Sequence, residues 1–159
     1  MMYNDKRSLD ILIADDDADD LFLFAIALKD VSVPFRLSCV SNGQQLMDYL
    51  AANIKNLPDV LILDLNIPLK NGNECVIEIK GKEDMKHLPI IIYSTSLQDE
   101  VADILYQNGA HYYLQKTDID TLVPHLNYVL TKLYHREIER PAKNKFILNP
   151  KQSRSSKYP

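Results

Sequence analysis

"LDILIADDDADD", Leu9–Asp20, changes character twice within twelve residues. Leu9–Ala14 has the apolar density of a short strand, and a helix is predicted from about Ala18 to Lys29. Between and across them, Asp15, Asp16, Asp17, Asp19 and Asp20 put five carboxylates among the seven residues Ala14–Asp20. Two unit charges about 4 Å apart repel by about 4 kcal/mol at the effective dielectric constant of a protein surface. A buried strand that ends this way needs something to make the acids compatible.

The same alternation continues down the chain. Phe35–Val40 reads as a second strand, and "SNG" precedes a helix with Leu46, Met47 and Leu50 on one face. "DVLILD" (Asp59–Asp64) and "LPIIIYS" (Leu88–Ser94) are continuous apolar runs, the pattern of strands covered on both faces. Cys75, Val76 and Ile79 mark the helix after the first of these, and Val101, Ile104 and Leu105 the helix after the second. "NGA" ends that second helix, with Gly109 where a left-handed cap is wanted. "HYYLQK" (His111–Lys116) is a short strand, and a last helix is predicted from about Asp120 to Glu137, with Pro124 in or near its first turn. Five strand–helix units in a row imply a parallel sheet with helices on both faces. In such sheets ligands gather beyond the carboxyl ends of the strands.

The predicted domain spans residues 8–138. Residues 139–159, rich in Pro, Ser, Lys and Asn, are expected to form a mostly flexible tail. The alternative is that its apolar island, Phe146–Leu148, docks on the domain or on a partner. The 159 residues suffice for one core, with 46% hydrophobic and 25% charged residues, the balance of a soluble globular chain. A net charge of −4 argues against holding nucleic acid by overall charge. No run is long enough to span a bilayer and no secretory h-region is visible, so a cytoplasmic location without membrane insertion is expected. Cys39 and Cys75 lack metal-ligand spacing and read as reduced core thiols.

In a sheet of this winding the first and third strands lie side by side. Asp15 and Asp16 then meet Asp64, and three carboxylates raise one another's pKa unless a cation joins them. Mg²⁺, which prefers hard oxygen ligands, removes the conflict. Asp17, Asp19 and Asp20 fall at a helix start, where acids cap free N–H groups and complement the dipole. A carboxylate beside Mg²⁺ can act as a nucleophile toward a phosphoryl group. Ser94 and Lys116, each ending another strand, offer a hydroxyl and a mobile positive charge to the phosphoryl oxygens.

"ILIADDD", "LILDLNIPLKNG", "LPIIIYSTS" and "GAHYYLQK" together resemble the receiver domain of two-component response regulators, over roughly Leu9–Leu133. The resemblance implies a flavodoxin-like, CheY-like doubly wound α/β fold: five parallel strands in the order 2-1-3-4-5. It implies Asp64 as phosphoacceptor and Asp16 as direct Mg²⁺ ligand, with Asp15 beside it or acting through water. Asn66 would give its backbone carbonyl to the metal, Ser94 would be the switch hydroxyl with Thr95 as the alternative, and Lys116 would bind the phosphoryl group. Tyr113 matches the aromatic that follows the switch, and Pro68 and Gly72 match the loop after the acceptor. One departure is Thr117, where the family usually has Pro after the Lys.

The implied function is a stand-alone switch. It takes a phosphoryl group from a sensor histidine kinase or phosphotransfer protein. It then signals through the face made by the fourth helix, fifth strand and fifth helix, to a target protein or a second copy. The chain is also similar to small receivers that serve phytochrome-type kinases. Rival readings are a Mg²⁺-dependent phosphohydrolase, a receiver-shaped adaptor that is never phosphorylated, and a flavin-binding module. The first is disfavoured because Asn66, two residues past the nucleophile, cannot protonate a leaving group. The last is disfavoured because the acidic run would repel a cofactor phosphate.

Overall fold

The computed structural model describes residues 7–148. Its strands are β1 (Leu9–Ala14), β2 (Phe35–Val40), β3 (Val60–Leu63), β4 (Ile90–Ser94), β5 (Tyr112–Gln115) and β6 (Ile147–Leu148). Its α-helices are α1 (Ala18–Leu28), α2 (Gly43–Ala52), α3 (Gly72–Lys80), α4 (Asp99–Gln107) and α5 (Ile119–Tyr134). All neighbouring strands pair in parallel, in the order β2-β1-β3-β4-β5-β6. The expected 2-1-3-4-5 core is therefore present, but the sheet has six strands rather than five.

Strand alternation divides the core into two layers. Ile11 and Ile13 of β1 pack with Phe24 of α1 and Leu126 and Leu130 of α5. Leu12 and Ala14, on the opposite face, pack with Leu46 of α2, Val76 of α3 and Leu105 of α4. β3 and β4 are buried at every position, as their unbroken apolar runs require. Cys75 is buried, but Cys39 is exposed, because β2 is the edge strand and the expectation of two core thiols fails there. Gly109 adopts φ 108° after α4, and the Ala110 amide donates back to the Leu105 carbonyl at 3.1 Å, which closes the helix as anticipated.

The last helix begins earlier than predicted. Asp118 caps it by accepting from the Thr121 amide at 2.9 Å, and Pro124, the sixth residue of the helix, lies just past the first turn. No helix among the described residues is long and apolar enough to cross a membrane.

Within the expected tail, residues 139–148 follow the alternative given for the apolar island and pack on the domain. Arg140 stacks on Tyr106 at 4.2 Å and its guanidinium donates to the carbonyls of Ala110 and Tyr106. Lys143 pairs with Asp103 of α4 at 3.2 Å. Phe146 is buried against Tyr106 and Tyr113, and its carbonyl accepts from the Tyr113 amide at 3.0 Å. The apolar island thus completes the β5 edge, which would otherwise expose a row of backbone donors and acceptors. Residues 149–159 of the expected tail lie outside the described residues.

Two outcomes follow from this packing. Phe146→Ala should destabilise the domain by about 3 kcal/mol, as loss of a buried aromatic does, and urea unfolding measures it. His111, which leads into β5, has its pKa lowered from 6.5 to about 4 by burial and by the charges of Lys80 and Arg140. The unfolded chain therefore takes up a proton that the folded one refuses. Stability contributed by neutral His111 is full above pH 6.5 and is lost as pH falls toward 4. His111→Gln should flatten that part of the stability–pH curve.

Candidate functional site

The strand ends are held in register by one further backbone bond apiece. The amide of Asp64 donates to Ala14 at 3.0 Å, that of Asp15 to Val40 at 3.0 Å, and that of Lys116 to Ser94 at 2.8 Å. These bonds place Asp15, Asp64, Ser94 and Lys116 on neighbouring chain segments just beyond the sheet. Asp15, Asp16 and Asp64 each offer a carboxylate oxygen within 4.8 Å of the others. Asp15 and Asp64 are buried and Asp16 is exposed.

Lys116 closes this group. Its Nζ donates to Asp15 Oδ2 at 2.8 Å, to Asp20 Oδ2 at 2.8 Å and to Asp64 Oδ2 at 3.3 Å. Burial works against the charge on Lys116, but the bonds to Asp15 and Asp20 and the attraction of Asp64 outweigh it and hold the amine above its ordinary range. Burial also pushes Asp15 up, resisted by the bonds from Lys116 and the Asp17 amide and reinforced by the Asp64 charge. Three hard oxygens at this separation, two of them on buried acids, suit a divalent cation. The Asn66 amide lies 3.3 Å from Asp64 Oδ1, so its peptide borders the same pocket.

Ser94 is fully buried, and among the described residues its Oγ has no partner in good hydrogen-bond geometry. It lies beside the Tyr113 hydroxyl, which donates to the Ser96 carbonyl. Burial raises the Tyr113 pKa, while the adjacent Ser94 and Ser96 oppose the rise. Thr95, the alternative hydroxyl, is exposed. Every peptide bond among the described residues is trans, Lys116–Thr117 included.

The loop after Asp64 is tightly built. A Cβ on Gly72 would lie 2.7 Å from the Asp64 carbonyl, so α3 can start here only on glycine. The preceding Asn71 forms a capping box with Glu74, and the Pro68 carbonyl accepts from Gly43 of α2 at 3.1 Å. Leu69 between them is 82% exposed with φ 69°, a left-handed conformation uncommon outside glycine.

The sequence reading assigned two residues too little. Asp17 is the N-cap of α1, accepting from the amides of Asp19 and Asp20, but the Asp20 carboxylate turns to Lys116 instead of serving the cap. Helical side chains lean toward the N-terminus, so a first-turn residue after β1 faces the pocket, and that was the available signal. Tyr93, to which the sequence pattern assigns no role in the site, has Lys116 Nζ 5.2 Å from its ring centre. Burial drives its pKa to about 12, with Lys116 opposing and the carboxylates reinforcing.

A parallel α/β sheet whose strand ends gather acids, a lysine and a buried hydroxyl defines a flavodoxin-like domain with an acidic pocket at the carboxyl edge of its sheet. The chain belongs to the response regulator receiver domain family, whose model matches residues 11–127. Receiver domains work in phosphorelay signalling, in exchange with kinases or phosphotransfer partners, as switches rather than as enzymes with outside substrates. Response regulator Rcp1 of Synechocystis sp. is 30% identical over 111 residues, 67% of this chain and 76% of that protein. The crystal structure of the Mn²⁺-bound form of Rcp1 superimposes with a TM-score of 0.70 at 26% identity, covering 84% of this chain and 99% of that one. The phosphorylated cyanobacterial phytochrome response regulator RcpA gives 0.73 at 27% identity, covering 86% and 100%.

The Ser94 hydroxyl makes an immediate stability test. Ser94→Ala should leave unfolding free energy within about 1 kcal/mol of the parent, because the hydroxyl has no well-formed hydrogen bond to lose beyond its contact with Tyr113. A loss of several kcal/mol on urea unfolding would mean the hydroxyl is bonded in the resting protein.

Proposed function

We propose that the chain is a phosphorylation-controlled switch with Asp64 as its phosphoacceptor. The observation that carries this reading is the meeting of Asp64 with Lys116 and a buried hydroxyl on three separate strand ends. Asp15, Asp16 and Asp64, with the backbone carbonyl of Asn66, would hold Mg²⁺, which when bound supplies positive charge to the phosphoryl oxygens. An oxygen of Asp64 attacks phosphorus of the partner's phosphohistidine. The P–O bond forms as the P–N bond breaks, and the imidazole leaves with the bonding pair and takes a proton from solvent. Lys116 exchanges its long bond to Asp64 for a phosphoryl oxygen, and Ser94 donates to another. Asn66 offers no acid to protonate a further leaving group, which favours a stored acyl phosphate over turnover of outside substrates.

The Ser94 hydroxyl lies next to that of Tyr113, so its movement toward the phosphoryl group would change the packing of Tyr113 against Phe146. This is the route proposed from pocket to output on α4, β5 and α5, where Ile104 and Tyr128 are exposed apolar side chains. The 143–148 segment forms part of that face. A cytoplasmic sensor histidine kinase or phosphotransfer protein is the proposed donor. The likeness to Rcp1 and RcpA supports a phytochrome-type kinase among the candidates.

Incubation with acetyl phosphate, with and without Mg²⁺, followed by intact mass measurement tests the reading. A single phosphoryl adduct is expected that requires Mg²⁺, is cleaved by hydroxylamine and is absent from Asp64→Ala. An adduct that persists in Asp64→Ala would move the acceptor, and its absence from the parent protein would favour the unphosphorylated adaptor.

A further inference from the structure

Lys116 has three N–H bonds and three carboxylate acceptors, and the three are not equivalent. Asp15 and Asp64 belong to the trio whose oxygens lie within 4.8 Å of one another, so a cation or a phosphoryl group would claim them. Asp20 stands outside that trio, on the first turn of α1, with its side chain 27% exposed, against 0% for Asp15 and 8% for Asp64. Its bond to Nζ is as short as that of Asp15 and shorter than that of Asp64. Of the three acceptors, Asp20 alone has no oxygen in the trio, so its bond to the amine is the one that a load in the pocket does not draw on.

We propose that Asp20 is a positioning residue, an anchor that holds the Lys116 amine at the edge of the pocket and so keeps it from occupying the oxygens that the cation needs. The inference rests on the reading of this pocket as a Mg²⁺-dependent phosphoacceptor site. Without Asp20 the amine keeps Asp15 and Asp64 as its hydrogen-bond acceptors, beside the face of the Tyr93 ring, and competes with the cation for the acids' oxygens. The backbone after Lys116 gives little alternative restraint: Thr117 and Asp118 are exposed, and Asp118 is engaged in capping α5. With Asp20 present, Lys116 can release Asp15 and Asp64 without swinging into solvent, and it remains within reach of a phosphoryl oxygen.

A plain charge effect is the rival explanation, and Asp19 separates the two. It occupies the same helical turn and is exposed, and its carboxylate is not among the acceptors of Lys116. Asp19→Asn therefore removes the same charge from the same turn without touching the amine.

The first measurement uses metal-free protein and the lysine side-chain ¹⁵N signal. An ordered Lys116 ammonium resonance is expected in the parent and in Asp19→Asn, lost in Asp20→Asn and recovered at least in part in Asp20→Glu. The second is Mg²⁺ affinity by calorimetry in a double-mutant cycle with Lys116→Met. Asp20→Asn should weaken Mg²⁺ binding about tenfold when Lys116 is present, the scale of a charge-assisted hydrogen bond, and far less when it is methionine. Equal losses in both backgrounds, or a loss in Asp19→Asn matching that in Asp20→Asn, would overturn the anchor. An unchanged Lys116 resonance in Asp20→Asn would overturn it too. If the parent itself neither binds Mg²⁺ nor forms the acetyl phosphate adduct, the phosphoacceptor reading fails, while the resonance still decides whether Asp20 orders the lysine.

Discussion

The ammonium of Lys116, set among Asp15, Asp20 and Asp64, is the interaction on which the rest of the pocket depends. Burial removes the water that would stabilise these carboxylates, and their closeness adds repulsion to it. Asp15 shows this as a pKa raised mainly by burial and further by the Asp64 charge, and Lys116 shows the response as an amine held charged despite burial. One positive charge does not balance the four acids gathered here. The remaining deficit is what the cation of the proposed function would offset.

That chemistry is available only because the strands agree in register. A one-residue slip would exchange the two faces of a strand and send each terminal side chain to the wrong layer. The two apolar layers resist such a slip: Ile11 and Ile13 face α1 and α5, while Leu12 and Ala14 face α2, α3 and α4. Glycine 72 contributes a second fixed point, since nothing larger fits between α3 and the acceptor strand end. The core therefore positions the charges, and the Tyr113–Phe146 contact ties the same sheet to the segment along β5.

Much of this was legible in the sequence because it follows from local pattern. "DVLILD" and "LPIIIYS" could only be strands covered on both faces, and Asp64 and Ser94 end them. Lys116 and the Asp15–Asp16 pair were legible for the same reason. What escaped depended on distant partners. Asp20 looked like a helix-start acid because its lysine lies 96 residues away. Phe146–Leu148 was legible as an apolar island able to dock, but not where, because the open edge of β5 is not visible from the residues around it. Tyr93 carries no local sign of the amine that sits near its ring. Cys39 was placed in the core by its apolar neighbours, but an edge strand has an open side that neighbours do not reveal.

The most direct measurement is thermal unfolding of the parent and Asp16→Asn, with and without Mg²⁺ at constant ionic strength. If a cation reconciles the acids, Mg²⁺ should raise the Tm of the parent with a saturating concentration dependence, because binding to the folded state alone stabilises it. The same additions should leave Asp16→Asn nearly unmoved. An unshifted parent Tm, or equal shifts in both proteins, would contradict the account.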